Sequence, residues 1–236
     1  MFVCVFMLNL IVADAEIEQA PREIANHRVI SWYARRRGRL PTEIILNSGL
    51  HYEAMRGFKD GDRRGRPDIA HMCLLLALDT PLNREGLLRV YVHTRHNKLI
   101  TFDPSVRLPR MPNRFEGLLE QLFLAGEAPP EKPLLKLENA SLKELVERLG
   151  SRRVITFSDG GKRRLIGEAY AGLSKDDDTC VIVGGFPRGD FLSDVAGISD
   201  EMVSIDREPL TAPTVVARAI YAYEGSIGIA KSRLVG

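Results

Sequence analysis

The chain has 236 residues, 44% of them hydrophobic, enough to bury the core of one large domain or of one domain carrying an insertion. Its formal charge of +2 conceals polarity: twelve Lys or Arg stand against six Asp or Glu between Arg56 and Arg114, while the remainder carries 21 basic and 25 acidic residues. Three scattered cysteines, Cys4, Cys73 and Cys180, exclude a disulfide framework and a Cys-pair zinc site, and they fit a reducing, cytoplasmic compartment.

The first fifteen residues, MFVCVFMLNLIVADA, end in Ala-Asp-Ala like a signal-peptide cleavage site, but they lack a basic leading region and are too short to span a bilayer. They read as a buried central strand near Val3 to Val12. Ala15 to Arg37 is expected to be helical in two pieces broken near Pro21, and Glu43 to Leu46 to form a short strand. The polar, glycine-bearing stretch His51 to Pro67 is expected to be a loop. Ile69 to Leu78 reads as a buried helix, Leu87 to His93 and Leu99 to Phe102 as strands, and Phe115 to Ala125 as an amphipathic helix. Glu127 to Lys136 (EAPPEKPLLK) has the composition of a linker. Helix Leu142 to Leu149 carries Ser141 and Glu144 at capping-box spacing and Gly150 past its end. Val154 to Phe157, Cys180 to Val183 and Met202 to Ile205 read as strands, and Thr211 to Tyr223 as a closing helix with Pro213 in its first turn. The alternation predicts an α/β fold.

Three loops leave the C-terminal ends of the late strands: TFSDGG (156–161), GGFPRG (184–189) and IDREPL (205–210). Ligands settle at that edge of parallel α/β sheets, so the loops predict a pocket. Gly184 and Gly189 have the glycine spacing of a phosphate-binding P-loop, but Asp190-Phe191 follows where Lys-Ser/Thr is required. No GxGxxG dinucleotide unit is present either. A glycine-lined loop without a phosphate-holding lysine suits a cofactor lacking phosphate; the same glycines serve equally as strand-to-helix turns.

Arginine supplies 25 of the 33 basic residues. Gly65-Arg66-Pro67-Asp68-Ile69-Ala70-His71, Arg107-Leu108-Pro109-Arg110 and Asn113-Arg114-Phe115 set arginines beside prolines or an aromatic, which narrows their conformations and suits phosphate and base recognition. The pattern predicts a basic face for RNA. Asp68 has three candidate roles: N-cap of the following helix, orienting partner of Arg66, or general base. Capping or orienting ranks above base, because a carboxylate beside an arginine is a poor proton acceptor. His71 reads as a satisfied core histidine. His93 and His96 lack a third ligand, so no metal is expected. Trp32 and Tyr33, beside Arg35, Arg36 and Arg37, offer stacking chemistry for a base, with a partly buried helix anchor as the more ordinary use.

These arginine blocks, together with Leu87 to Thr94 (LLRVYVHT), Ile182 to Gly189, Met202 to Ile205 and Pro209-Leu210, resemble the ribosome-biogenesis pseudouridine N1-methyltransferases of the SPOUT, or α/β-knot, superfamily. The resemblance spans nearly the whole chain and is of the compact, archaeal type. It implies a single SPOUT domain over 1–236 with a mostly parallel sheet flanked by helices, a C-terminal trefoil knot, and RNA-contacting segments around 47–68 and 95–115. It implies S-adenosyl-L-methionine as cofactor, with Phe157, Asp159, Gly184, Gly189, Ile205, Asp206, Arg207, Glu208, Pro209 and Leu210 in its loops. Asp206, Arg207 and Glu208 would contribute backbone rather than side chains. It also implies Arg66 and Asp68 at the reacting base, and Arg66, Arg107, Arg110 and Arg114 on small-subunit rRNA. A homodimer, contacts with ribosomal assembly proteins and no membrane association are implied as well. A non-catalytic RNA-binding assembly factor and a related tRNA methyltransferase remain the alternatives at this stage.

Overall fold

The computed structural model describes residues 7–172 and 178–235. Strand β1 (Leu8–Ala15) is buried at every position. It is followed by helices α1 (Arg22–Ala25), α2 (Arg28–Arg37), α3 (Ser48–Met55), α4 (Pro67–Leu78) and α5 (Pro81–Arg84). Strands β2 (Leu88–Thr94) and β3 (Lys98–Phe102) precede helix α6 (Pro112–Ala125), and strands β4 (Glu127–Ala128) and β5 (Leu135–Asn139) precede helix α7 (Leu142–Leu149). Strands β6 (Arg153–Arg163), β7 (Thr179–Gly184) and β8 (Glu201–Ser204) lead to helices α8 (Ala212–Ile227) and α9 (Ile229–Val235), with a 3-10 turn at Ile166–Tyr170.

The strands form one sheet in the order β4-β5-β3-β2-β1-β7-β6-β8. From β2 to β8 all pairings are parallel. β1 lies at the centre with neighbours on both edges, which is why its sequence is a near-continuous apolar run rather than an alternating one. One face packs against α4, α6 and α8, with Leu74, Phe115, Val216 and Tyr223 in the main core; α7 closes the other face through Leu142 and Leu145. A smaller cluster around Ile30, Ile44 and Leu46 holds α2 and α3.

Several sequence expectations change. Val3 and Cys4 lie outside the described residues. The supposed linker near 127–136 is a hairpin: β4 and β5 pair antiparallel, β5 pairs with β3, and Ala128 and Leu135 are buried. Its prolines sit between the two strands, where no ladder hydrogen bond is lost. Helix α3 occupies the start of the expected loop because Asn47 caps it, accepting from Gly49 N at 2.8 Å. Residues 15–21 are extended rather than helical, and the expected strand over 43–46 contributes one isolated bridge, Gln19 to Ile45. The expected turn at 156–161 is a bulge inside β6: Phe157 and Lys162 both pair with Val203. The capping box Ser141–Glu144 forms as read.

Candidate functional site

A bulge inside β6 and the loops after β7 and β8 line a cleft of about 350 Å³, within the range of small-molecule sites. Phe157 and Asp159 enter from the β6 bulge, Gly184 and the 186–190 loop from the end of β7, and Ile205, Asp206, Glu208, Pro209 and Leu210 from the loop after β8. Nine of the ten residues expected around a cofactor therefore line one cleft. The tenth, Arg207, stays outside; its side chain is 82% exposed and lies 3.4 Å from Glu208. Among the described residues no lysine lines the cleft and one arginine does, Arg188, which reaches Asp62 at 3.1 Å. This donor set suits a ligand without phosphate.

Close backbone approach explains the glycines. A Cβ on Gly185 would lie 2.8 Å from Ala15 Cα, and one on Gly184 would lie 2.6 Å from the Phe186 ring. Gly189 has φ +78°, a left-handed conformation that side chains resist.

A buried acidic triplet, Asp14, Glu16 and Glu18, holds the loops in place. Asp14 accepts from Leu192 N at 2.7 Å, Ser193 N at 2.9 Å and Ser193 Oγ at 2.7 Å. Burial pushes its pKa up, but hydrogen bonds from His93 and Ser193 outweigh this and hold the carboxyl below its usual range. Glu16 bridges Arg63 at 2.5 Å and Arg95 at 2.7 Å. Arg63 in turn donates to Asp190 O at 2.7 Å and stacks over Phe186 at 4.2 Å. Glu18 pairs with Arg64 and His96; these bonds outweigh burial and keep its pKa low. The sequence reading missed Asp14, Glu16, Glu18 and Arg63. The available signal was three acids at every second position where a buried apolar strand ends, too many charges for a segment leaving the core unless each finds a partner.

Arg66 donates to both oxygens of Asp68, from Nε at 2.8 Å and Nη2 at 2.7 Å. This contact raises the arginine's pKa further. Asp68 is not the N-cap: Pro67 takes the first helical position, so Arg66 is the cap residue and Asp68 faces its guanidinium. Backbone bonds tie this pair to the cleft. Arg66 N donates to Glu16 O at 2.9 Å, and Glu16 N donates to Gly185 O at 3.3 Å.

On the other side, His71 hydrogen-bonds Pro109 O at 2.7 Å and stacks on Phe115 at 4.2 Å, so α4 fixes both the 103–111 loop and the start of α6. The reading of His71 as a satisfied core residue holds. Arg107, Arg110 and Arg114 are exposed there, without an acidic partner among the described residues. His93 contacts Asp14 and Asn97, and His96 contacts Glu18. Among the described residues no cluster of three or more His, Cys, Asp or Glu could hold a metal ion, and no helix is long and apolar enough to cross a membrane.

Known proteins resemble this chain over most of its length. The ribosomal RNA small subunit methyltransferase Nep1 of Thermococcus sibiricus is 46% identical over 221 residues, covering 94% of this chain and 99% of that protein. The protein of the same name from Pyrobaculum neutrophilum is 43% identical over 93% of this chain and 99% of its own length. The crystal structure of Archaeoglobus fulgidus Nep1 bound to S-adenosylhomocysteine superposes with a TM-score of 0.81 at 32% identity, covering 95% of this chain and 99% of that one. The likeness bears out the expected SPOUT-type fold. The EMG1/NEP1 methyltransferase family model matches residues 10–224, and the chain belongs to that family.

Proposed function

We propose that this protein is an S-adenosyl-L-methionine-dependent methyltransferase that modifies N1 of a pseudouridine in small-subunit rRNA during ribosome biogenesis. The observation that carries the reading is the path from Arg66 through Glu16 to Gly185, which ties the backbone of the Asp68-fixed arginine to the loop after β7 that lines the cleft. Family membership and the names of the relatives support the substrate class; the cleft, which no lysine lines among the described residues, fits the cofactor. When bound, the cofactor supplies a methyl group on a sulfonium centre.

Gly184, Gly189, Ile205 and Leu210 shape the walls that hold it, with Phe157 and Asp159 at the β6 bulge. Arg107, Arg110 and Arg114 grip phosphates and set the register of the RNA. Arg66, aligned by Asp68, faces the target base and stabilises the enolate-like charge that spreads over it as N1 gives up its proton to water. Asp68 acts here as the orienting group rather than as the base. Much of the acceleration then comes from positioning two bound reactants. A homodimer completes the reading; exposed Met72 and Leu76 on α4 and Tyr221 on α8 offer apolar surface for a second copy.

The test is transfer of a labelled methyl group from the cofactor to purified RNAs. Label entering small-subunit rRNA and not tRNA supports the reading. Label entering tRNA alone, or no transfer despite tight RNA binding, would favour the tRNA enzyme or the assembly factor.

A further inference from the structure

We infer that Trp32 is a stacking platform for a single-stranded base of the RNA substrate, on an arm of the RNA surface beyond the Arg66–Arg114 edge. The inference rests on the rRNA reading above. A helix anchor would be buried, as Ile30 and Ala34 are on the same helix, but the indole is 54% exposed. Its neighbour Tyr33 takes the anchoring role, packing edge-on against the buried His51 at 5.1 Å. Arg36 lays its guanidinium 4.8 Å from the indole centroid, which fixes the ring, yet more than half of Trp32 remains in solvent. An exposed aromatic held by a cation is the arrangement on which unpaired bases stack, because every base offers a π face to it.

Charge and continuity select RNA as the occupant. Arg35 and Arg36 are exposed and have no acidic partner among the described residues. The same helix joins the arginine edge: Arg37 Nη2 donates to Asn113 O at 2.8 Å, the residue before Arg114. A strand gripped at Arg110 and Arg114 therefore meets α2 next, with a basic flank and one aromatic face.

Trp32 is the chain's one tryptophan, so its emission reports on this site alone. The full-length protein is titrated with a dye-labelled small-subunit rRNA fragment, following RNA anisotropy and tryptophan emission together. We expect emission to be quenched along the anisotropy isotherm. Trp32→Ala should weaken RNA affinity roughly fivefold to a hundredfold, while Trp32→Tyr keeps most of it. In methylation assays Trp32→Ala should raise KM for RNA and leave kcat unchanged. Circular dichroism checks that the variants are folded. Unchanged RNA affinity in Trp32→Ala, with no quenching in the wild type, would overturn this inference and leave the rRNA reading standing. The same holds if that variant loses only self-association, since the face would then belong to a protein contact. Failure of the wild type to bind the fragment at all would overturn the rRNA reading itself.

Discussion

Arg66 and Asp68 form a bidentate pair across one intervening proline, with Nε–Oδ1 at 2.8 Å and Nη2–Oδ2 at 2.7 Å. The pair converts a flexible side chain into a fixed fork. Asp68→Asn keeps one acceptor but turns an amide NH₂ towards the guanidinium, so some activity should survive. Asp68→Gly removes both acceptors and loosens the backbone after Pro67, and should cost more activity. Arg66→Ala should resemble Asp68→Gly, and the double variant should add little, as coupled neighbours do. Methylation rates across pH, with RNA and cofactor binding measured separately, check this. A stable, tightly binding but inactive Asp68→Asn enzyme would make Asp68 the base instead.

The two adjacent glycines at the end of β7, of which only Gly184 lines the cleft, should fail differently. Gly184→Val pushes the Phe186 ring out from beneath Arg63 and should abolish S-adenosylmethionine binding in calorimetry while the protein stays folded. Gly185→Ala meets the Ala15 backbone, which cannot move aside, and should lower thermal stability as well. Equal cofactor affinity in Gly184→Val and wild type would remove the proposed pocket.

Arg37 holds two buried carboxylates, Glu120 at 2.9 Å and Glu116 at 3.8 Å. Burial raises the pKa of both above the ordinary glutamate value, against the pull of Arg37. Arg37→Met should cost about 3–5 kcal/mol at neutral pH, because it leaves buried charge uncompensated. Groups with a raised folded pKa stabilise below their unfolded value of 4.5 and lose that contribution as pH rises through the folded one. The variant's deficit in urea unfolding should therefore shrink as pH is lowered from 7 towards 4.5. A deficit independent of pH would mean that the carboxylates find another partner.

RNA binding should weaken steeply with salt. Arg107→Ala and Arg110→Ala should each make the slope of log affinity against log salt shallower by about one counterion. Wild-type slopes in both variants would show that these side chains only solvate the surface.

Much of this was legible in the chain because the signals were local. The apolar run of β1, the Ser141–Glu144 box and the Arg-Pro-Asp turn each act over a few residues. The loops after β7 and β8 followed from the rule that parallel strands end at one edge, whereas the β6 segment 156–161 turned out to be a bulge within its strand. What escaped were effects that only tertiary contacts create. Asp14, Glu16 and Glu18 look like a surface stretch until Arg63, Arg64, Arg95 and His93 arrive from elsewhere in the chain. Leu135 looks like part of a proline-rich linker until β3 offers it an edge. Trp32 reads as a partly buried helix anchor until the fold gives that place to Tyr33, which packs against His51.

The central claim is methylation of one atom of one kind of nucleoside. Two small-subunit rRNA fragments, identical except for pseudouridine or uridine at the target, are incubated with the protein and isotopically labelled S-adenosylmethionine, then digested and examined by mass spectrometry. The account predicts one labelled methyl group on N1 of pseudouridine and none on the uridine fragment, where N1 is already bonded to ribose and the corresponding ring position is the C5–H carbon. Equal labelling of both fragments, or a methyl group on another atom, would contradict it.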